Sequence, residues 1–279
     1  DELEDLIDTN FEVVKSIQDR EFPEQIIPVT ASIKEAIDIF YIVNASGVNL
    51  TDAELALAQI SGYWPDARDL FKKKLFELEQ NGFVFKLDFI IYALLAVTHS
   101  MGSEMKRLHS ADNLEAIKEA WSRLDSQVLD YVTTILRTHA YVDHSDEINS
   151  VFALIPLIAY VYKKPKGQLT EVEIKKAVKW FYYSQLRQRY VSQTPQKLDK
   201  DLATVMDSDQ PFDELLGAIE QERSLTITEG EFVGRDIRHP LFSLMRWYFK
   251  SKGAVCLTSG VSIRQNMGKK YLLEKDHIF

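Results

Sequence analysis

One cysteine in 279 residues, Cys256, has no second thiol to pair with. A disulfide framework is therefore excluded, and the sequence suits a reducing compartment. A single thiol also cannot build a cysteine-rich zinc site, and the six histidines, His99, His109, His139, His144, His239 and His277, stand without the spacing of a His-Glu-x-x-His helix. The nearest grouping, His139, Asp143 and His144, reads as a polar loop. There is no glycine-rich phosphate loop and no Gly-x-Ser-x-Gly elbow. Long apolar runs are missing too. VFALIPLIAYVY and FIIYALLAV are too short to span a bilayer, and the acidic opening DELEDLIDTN has no signal core. A cytoplasmic protein without a membrane partner is expected.

Glycine and proline are scarce, at 11 and 8, while 46% of the residues are hydrophobic and 27% charged, enough apolar material for a real core. Apolar residues recur at three and four positions through most of the chain, so the fold class is all-α, a multi-helix bundle-like domain of one core or two subdomains. Leu3, Ile7, Val14 and Ile17 share a helical face. Ser32 with Glu35, Thr51 with Glu54 and Thr170 with Glu173 are capping boxes that open helices. Between the first two lies NASGVN, where Gly47 supplies a left-handed turn and Asn44 bonds the local backbone. Asn81 and Gly82 close a helix, and Leu87 to Val97 is apolar almost all round, as in a central helix. Leu114, Ile117, Trp121, Leu124, Val128 and Ile135 outline one long amphipathic helix. KKPKGQ is the clearest loop, and Pro211 and Pro240 mark first turns of further helices. Only IIPV, LTIT and the approach to the C-terminus read as strand.

The net charge is −9, from 33 Lys and Arg against 42 Asp and Glu, but the cations are clustered. Lys163 to Lys200 is rich in Lys and Arg with few acids, and a second basic stretch runs from Arg235 to Lys275. Asymmetry of this kind points to a face turned towards phosphate, with Arg187, Arg189, Lys175 and Lys179 as the candidate nucleic-acid contacts and weak DNA binding as the outcome.

Three stretches carry a resemblance to a known family. Phe40, Asn44, Gly47, Leu50 and Glu54 follow a Phe-x-x-x-Asn-x-x-Gly-x-x-Leu-x-x-x-Glu pattern, YSQLRQRYVSQTPQKLDKDL contributes Arg187, Arg189, Tyr190, Leu198 and Asp201, and the last residues, LEKDHIF, hold Asp276 next to His277. In this order and spacing the chain resembles the GmrSD-type modification-dependent restriction endonucleases, whose helical region lies between an N-terminal ParB-like domain and a C-terminal HNH nuclease domain. The sequence lacks that family's Asp-Gly-Gln-Gln-Arg motif, which weighs against nucleotide hydrolysis by this stretch, and has Ile42 where the family carries a basic residue, which weighs against a polar role for the helix that holds it.

The resemblance implies an organisation of residues 1–30 as the tail of a ParB-like domain or a lead-in helix, 31–145 as a helical subdomain, 146–262 as a helical subdomain with a basic face, and 263–279 as the truncated start of an HNH ββα motif. It implies that His277 is a general base and Asp276 a ligand of magnesium or manganese in the intact parent. This stretch, without the second strand, helix and remaining ligand of that motif, is expected to bind no cofactor and cleave nothing. Its expected partners are DNA and the flanking domains of the parent. The alternative is a non-enzymatic helical interaction or scaffold module.

Overall fold

The computed structural model describes residues 2–21, 24, 26–32, 35, 36, 39, 42, 50–109, 111–257 and 259–266. Phe40, Asn44, Gly47, Asp276 and His277 lie outside the described residues. The chain divides into two compact units, Asp1–Gly47 and Val48–Phe279.

In the first unit, α1 (Glu2–Lys15) continues into a 3-10 turn over Ser16–Asp19. The apolar face expected there forms but is open to solvent: Leu3, Ile7 and Val14 are exposed. The Ser32 capping box is present, with Glu35 N–H donating to the Ser32 hydroxyl at 3.2 Å and Ser32 N–H donating back to the Glu35 carboxylate at 2.7 Å.

The second unit is a helical bundle: α2 (Asp52–Tyr63), α3 (Ala67–Gln80), α4 (Leu87–His99), α5 (Leu114–Arg123), α6 (Leu129–His139), α7 (Leu154–Lys163), α8 (Glu171–Leu186), α9 (Thr194–Asp207), α10 (Pro211–Glu222) and α11 (Pro240–Ser251). The fold is mainly α. Local chemistry explains most boundaries. Thr51 and Thr170 each accept from the backbone N–H of the glutamate three residues on, which reaches back in turn, so two orphan donors are satisfied at each start. Gly82, at φ 87°, closes α3 in the left-handed region. Pro211 and Pro240 occupy first turns, where a missing N–H costs nothing.

The apolar helices α4 and α7 pack together at the centre, where Ile90, Ile91, Leu94, Leu95, Leu154 and Ile158 are fully buried. The remaining helices surround them, α8 and α9 against α6 and α7, α10 and α11 against α8. One core cluster runs from Ala53 to Trp247, so packing is continuous across residue 145, where the sequence suggested a subdomain boundary. No helix among the described residues is long and apolar enough to cross a membrane.

Two expectations differ. The long helix of residues 114–135 is two helices joined by a π turn over Leu124–Val128, where Leu129 N–H reaches the carbonyl of Leu124. Buried Lys74 of α3 serves this turn: its ammonium donates to Asp125 O at 2.7 Å and pairs with Asp130 at 2.9 Å. Among the described residues LTIT forms no strand, and the only β pairing is an isolated bridge between Val255 and Ser262.

Candidate functional site

The stretch after α8 builds a buried polar cluster inside the bundle. Leu186 ends the helix, Gln188 takes a left-handed φ of 54°, and the reversal turns Arg189 and Tyr190 inward. Arg189 is 5% exposed and lays its guanidinium along the Asp201 carboxylate of α9, Nη2 to Oδ1 at 2.7 Å and Nε to Oδ2 at 3.1 Å. The Tyr190 hydroxyl donates to the same carboxylate at 2.5 Å. Nη1 of Arg189 reaches Glu222 on α10 at 2.6 Å, and Lys197 lies 3.6 Å from that glutamate. Burial opposes the charge on Arg189, but Asp201 beside it pushes its pKa further up. Burial, then the Asp201 charge, pushes the Tyr190 phenol well above its usual range. At neutral pH the Arg189 guanidinium is therefore charged and the Tyr190 hydroxyl neutral.

Arg187 points the other way. It pairs with Glu231 at 2.6 Å and donates to Thr226 O at 2.8 Å, while Arg223 donates to the Arg187 carbonyl at 3.0 Å. Residues 187–190 thus stitch α8, α9, α10 and the segment after α10 together. All five residues quoted from this stretch, Arg187, Arg189, Tyr190, Leu198 and Asp201, fall in or beside this junction, Leu198 being fully buried.

This arrangement corrects the sequence-level picture of a cationic centre. Arg189 is internal and both arginines face carboxylates, because the chain brings Glu222 and Glu231 back from beyond the basic stretch. Other cations there are matched as well: Lys164 with Glu173 at 2.5 Å, Lys176 with Asp213 at 2.5 Å, Lys175 with Glu171 at 3.6 Å. Lys175 and Lys179 are exposed on α8. Of the first motif, Leu50 is partly buried just before the Thr51 cap, and Glu54 is the returning half of that capping box.

A second buried ion centre escaped the sequence reading. Lys250 of α11, 4% exposed, meets Glu147 at 2.7 Å and Asp143 at 3.1 Å, and Arg264 approaches Asp143 at 3.7 Å. The His144 ring caps a 3-10 turn by accepting from Asp146 N–H at 3.2 Å. Asp143 and His144 are structural accordingly, and His139 is the exposed last residue of α6. A charge separated by 103 residues from its partner leaves no local signal.

Among the described residues no group of three or more His, Cys, Asp or Glu is arranged to hold a metal ion. The Asp201 carboxylate already accepts from three donors, so the junction fixes helices and presents no free acid or base. Comparison with protein-family models, with curated proteins and with solved structures gives no match for this chain.

Proposed function

We propose that this chain is the helical coupling region of a GmrSD-type modification-dependent restriction endonuclease, joining an N-terminal sensor or nucleotide domain to a metal-dependent HNH endonuclease domain that acts in antiviral defence. The observation that supports it is the convergence of Arg187, Arg189, Tyr190, Leu198 and Asp201 on one junction. A stretch picked out by its likeness to the family is the one that locks three helices together, which is what a rigid connector between two working domains needs. In the parent, Asp276 and His277 are donors of the types that suit magnesium or manganese and general-base work. The cation, when bound, supplies charge neutralisation at the scissile phosphate.

The test uses the parent polypeptide with its HNH domain. His277→Ala is expected to abolish magnesium- or manganese-dependent nicking of modified plasmid DNA while circular dichroism stays unchanged. A His277→Ala protein that nicks at the normal rate overturns the reading. The second reading, a non-catalytic interaction module, is favoured by one observation: the outer face of α11 is apolar and open to solvent.

A further inference from the structure

The helix α11 carries apolar side chains on its outer face as well as on its inner one. Its inner face is used: Leu241 and Trp247 are 1% exposed, and the Trp247 ring stacks on Tyr182 with centroids 5.3 Å apart. On the outer face Met245 is 39% exposed, Phe249 49% and Tyr248 57%. Two hollows adjoin along this face and share Met245. One, of ≈ 640 Å³, lies between α11 and the segment before it, floored by Phe232, Ile237, Leu241 and Phe242. The other, of ≈ 380 Å³, lies at the far half of the helix against Tyr182 and Leu244.

The rim is cationic. Arg235 and Arg238 line the first hollow and are exposed, and Lys252, also exposed, stands 5.5 Å from the Tyr248 ring beside the second. Asp236 also lines the first hollow and accepts from Arg238 N–H at 2.9 Å, while Glu231 is held by Arg187, so cations outnumber acids on the rim.

We infer that this groove docks an acidic amphipathic α-helix of a protein partner, with aliphatic and aromatic anchors entering the two hollows and carboxylates meeting Arg235, Arg238 and Lys252. The occupant follows from shape and charge together. A helix of 12 residues, about 18 Å long at about 1.5 Å per residue, offers a floor matched to three turns of another helix. Contiguous exposed apolar surface whose rim carries an excess of one sign of charge is the pattern of a docking site for the opposite sign. A polyanionic nucleic acid suits it less, because the floor of both hollows is apolar and offers few donors for phosphate. The inference holds whether or not the chain serves a nuclease, and its test involves no cleavage.

The probe is a fluorescein-labelled helical peptide of about sixteen residues with Leu and Phe at helical spacing on one face and Glu elsewhere, titrated with the full chain and followed by anisotropy. The control peptide has Lys in place of every Glu. The Glu peptide is expected to bind at least about tenfold more tightly than the Lys peptide, and Arg235→Glu with Arg238→Glu is expected to reverse that order. Met245→Asp with Tyr248→Asp is expected to weaken both. All four positions are exposed, and circular dichroism and the thermal midpoint verify that each variant folds. Equal affinity for the two peptides, no binding, or binding untouched by the arginine pair overturns the proposal. An oligonucleotide of matching length that binds more tightly than the Glu peptide and is lost with the same arginines also overturns it, and assigns the rim to nucleic acid.

Discussion

The Asp201 side chain illustrates how much one buried carboxylate can hold. It accepts from Nε and Nη2 of Arg189 and from the Tyr190 hydroxyl, and its own side chain is 2% exposed. Asp201→Ala leaves a guanidinium buried without its partner, so it is expected to destabilise the fold by about 3–5 kcal/mol. Glu222 binds the same arginine but is half exposed, and Glu222→Gln is expected to cost about 1 kcal/mol or less. Urea denaturation of the two variants separates them, and a similar loss in both would assign the stability to the wider helix junction. The motif residues were legible in the sequence, but their role was not. The sequence shows Arg187 and Arg189 as part of a run of cations, whereas their remaining partners, Glu231 and Glu222, stand 44 and 33 residues further on. Counting acids within the run therefore overstated its free charge.

At the scale of single elements the reading was closer, because caps and breakers act locally. The starts of α2, α8, α10 and α11 and the end of α3 follow from residues within a turn of the boundary. What the caps do beyond their own helix was hidden. Glu173 closes the capping box of α8 and also accepts from the Tyr160 hydroxyl at 2.6 Å and pairs with Lys164, so it ties α8 to the end of α7. Burial works against its charge, but the hydrogen bonds from Lys164, Tyr160 and Thr170 outweigh it and hold the carboxyl at about 2, below its ordinary 4.5. A depressed carboxylate contributes stability that is present above its unfolded value and is lost as pH falls through the folded one. Unfolding free energy is therefore expected to fall between about pH 4.5 and about 2, with Glu173→Gln flattening the slope in that window and lowering stability at pH 7 by about 2 kcal/mol. Thermal melts across the acid range check it; a Glu173→Gln protein with the parent's slope would show that other carboxylates govern acid unfolding.

For the molecule as a whole, helical class and core content were legible because they rest on composition and period, which survive any uncertainty about contacts. Charge placement did not survive, since it depends on which segments meet. The DNA contact proposed for this chain accordingly moves from the arginines to the exposed lysines of α8. Lys175→Glu with Lys179→Glu is expected to weaken duplex binding and flatten its salt dependence by roughly one unit per lost phosphate contact. Arg187→Glu with Arg189→Glu is expected to disturb folding instead. Unaltered salt dependence in the lysine pair would remove α8 from the binding face.

The π turn between α5 and α6 gives the bundle a measure of slack. Regular winding through Leu124–Val128 would advance each residue by about 100° and turn all of α6 by about one such step against α5. The wide turn absorbs that step, so Val132, Ile135 and Leu136 still face the core. Chain length and helical phase are thereby uncoupled at this point. A protein that lost one residue here could close the wide turn into ordinary helix and keep α6 facing inward, whereas the Lys74 ammonium, anchored on Asp125 O and Asp130, would be left to find new acceptors.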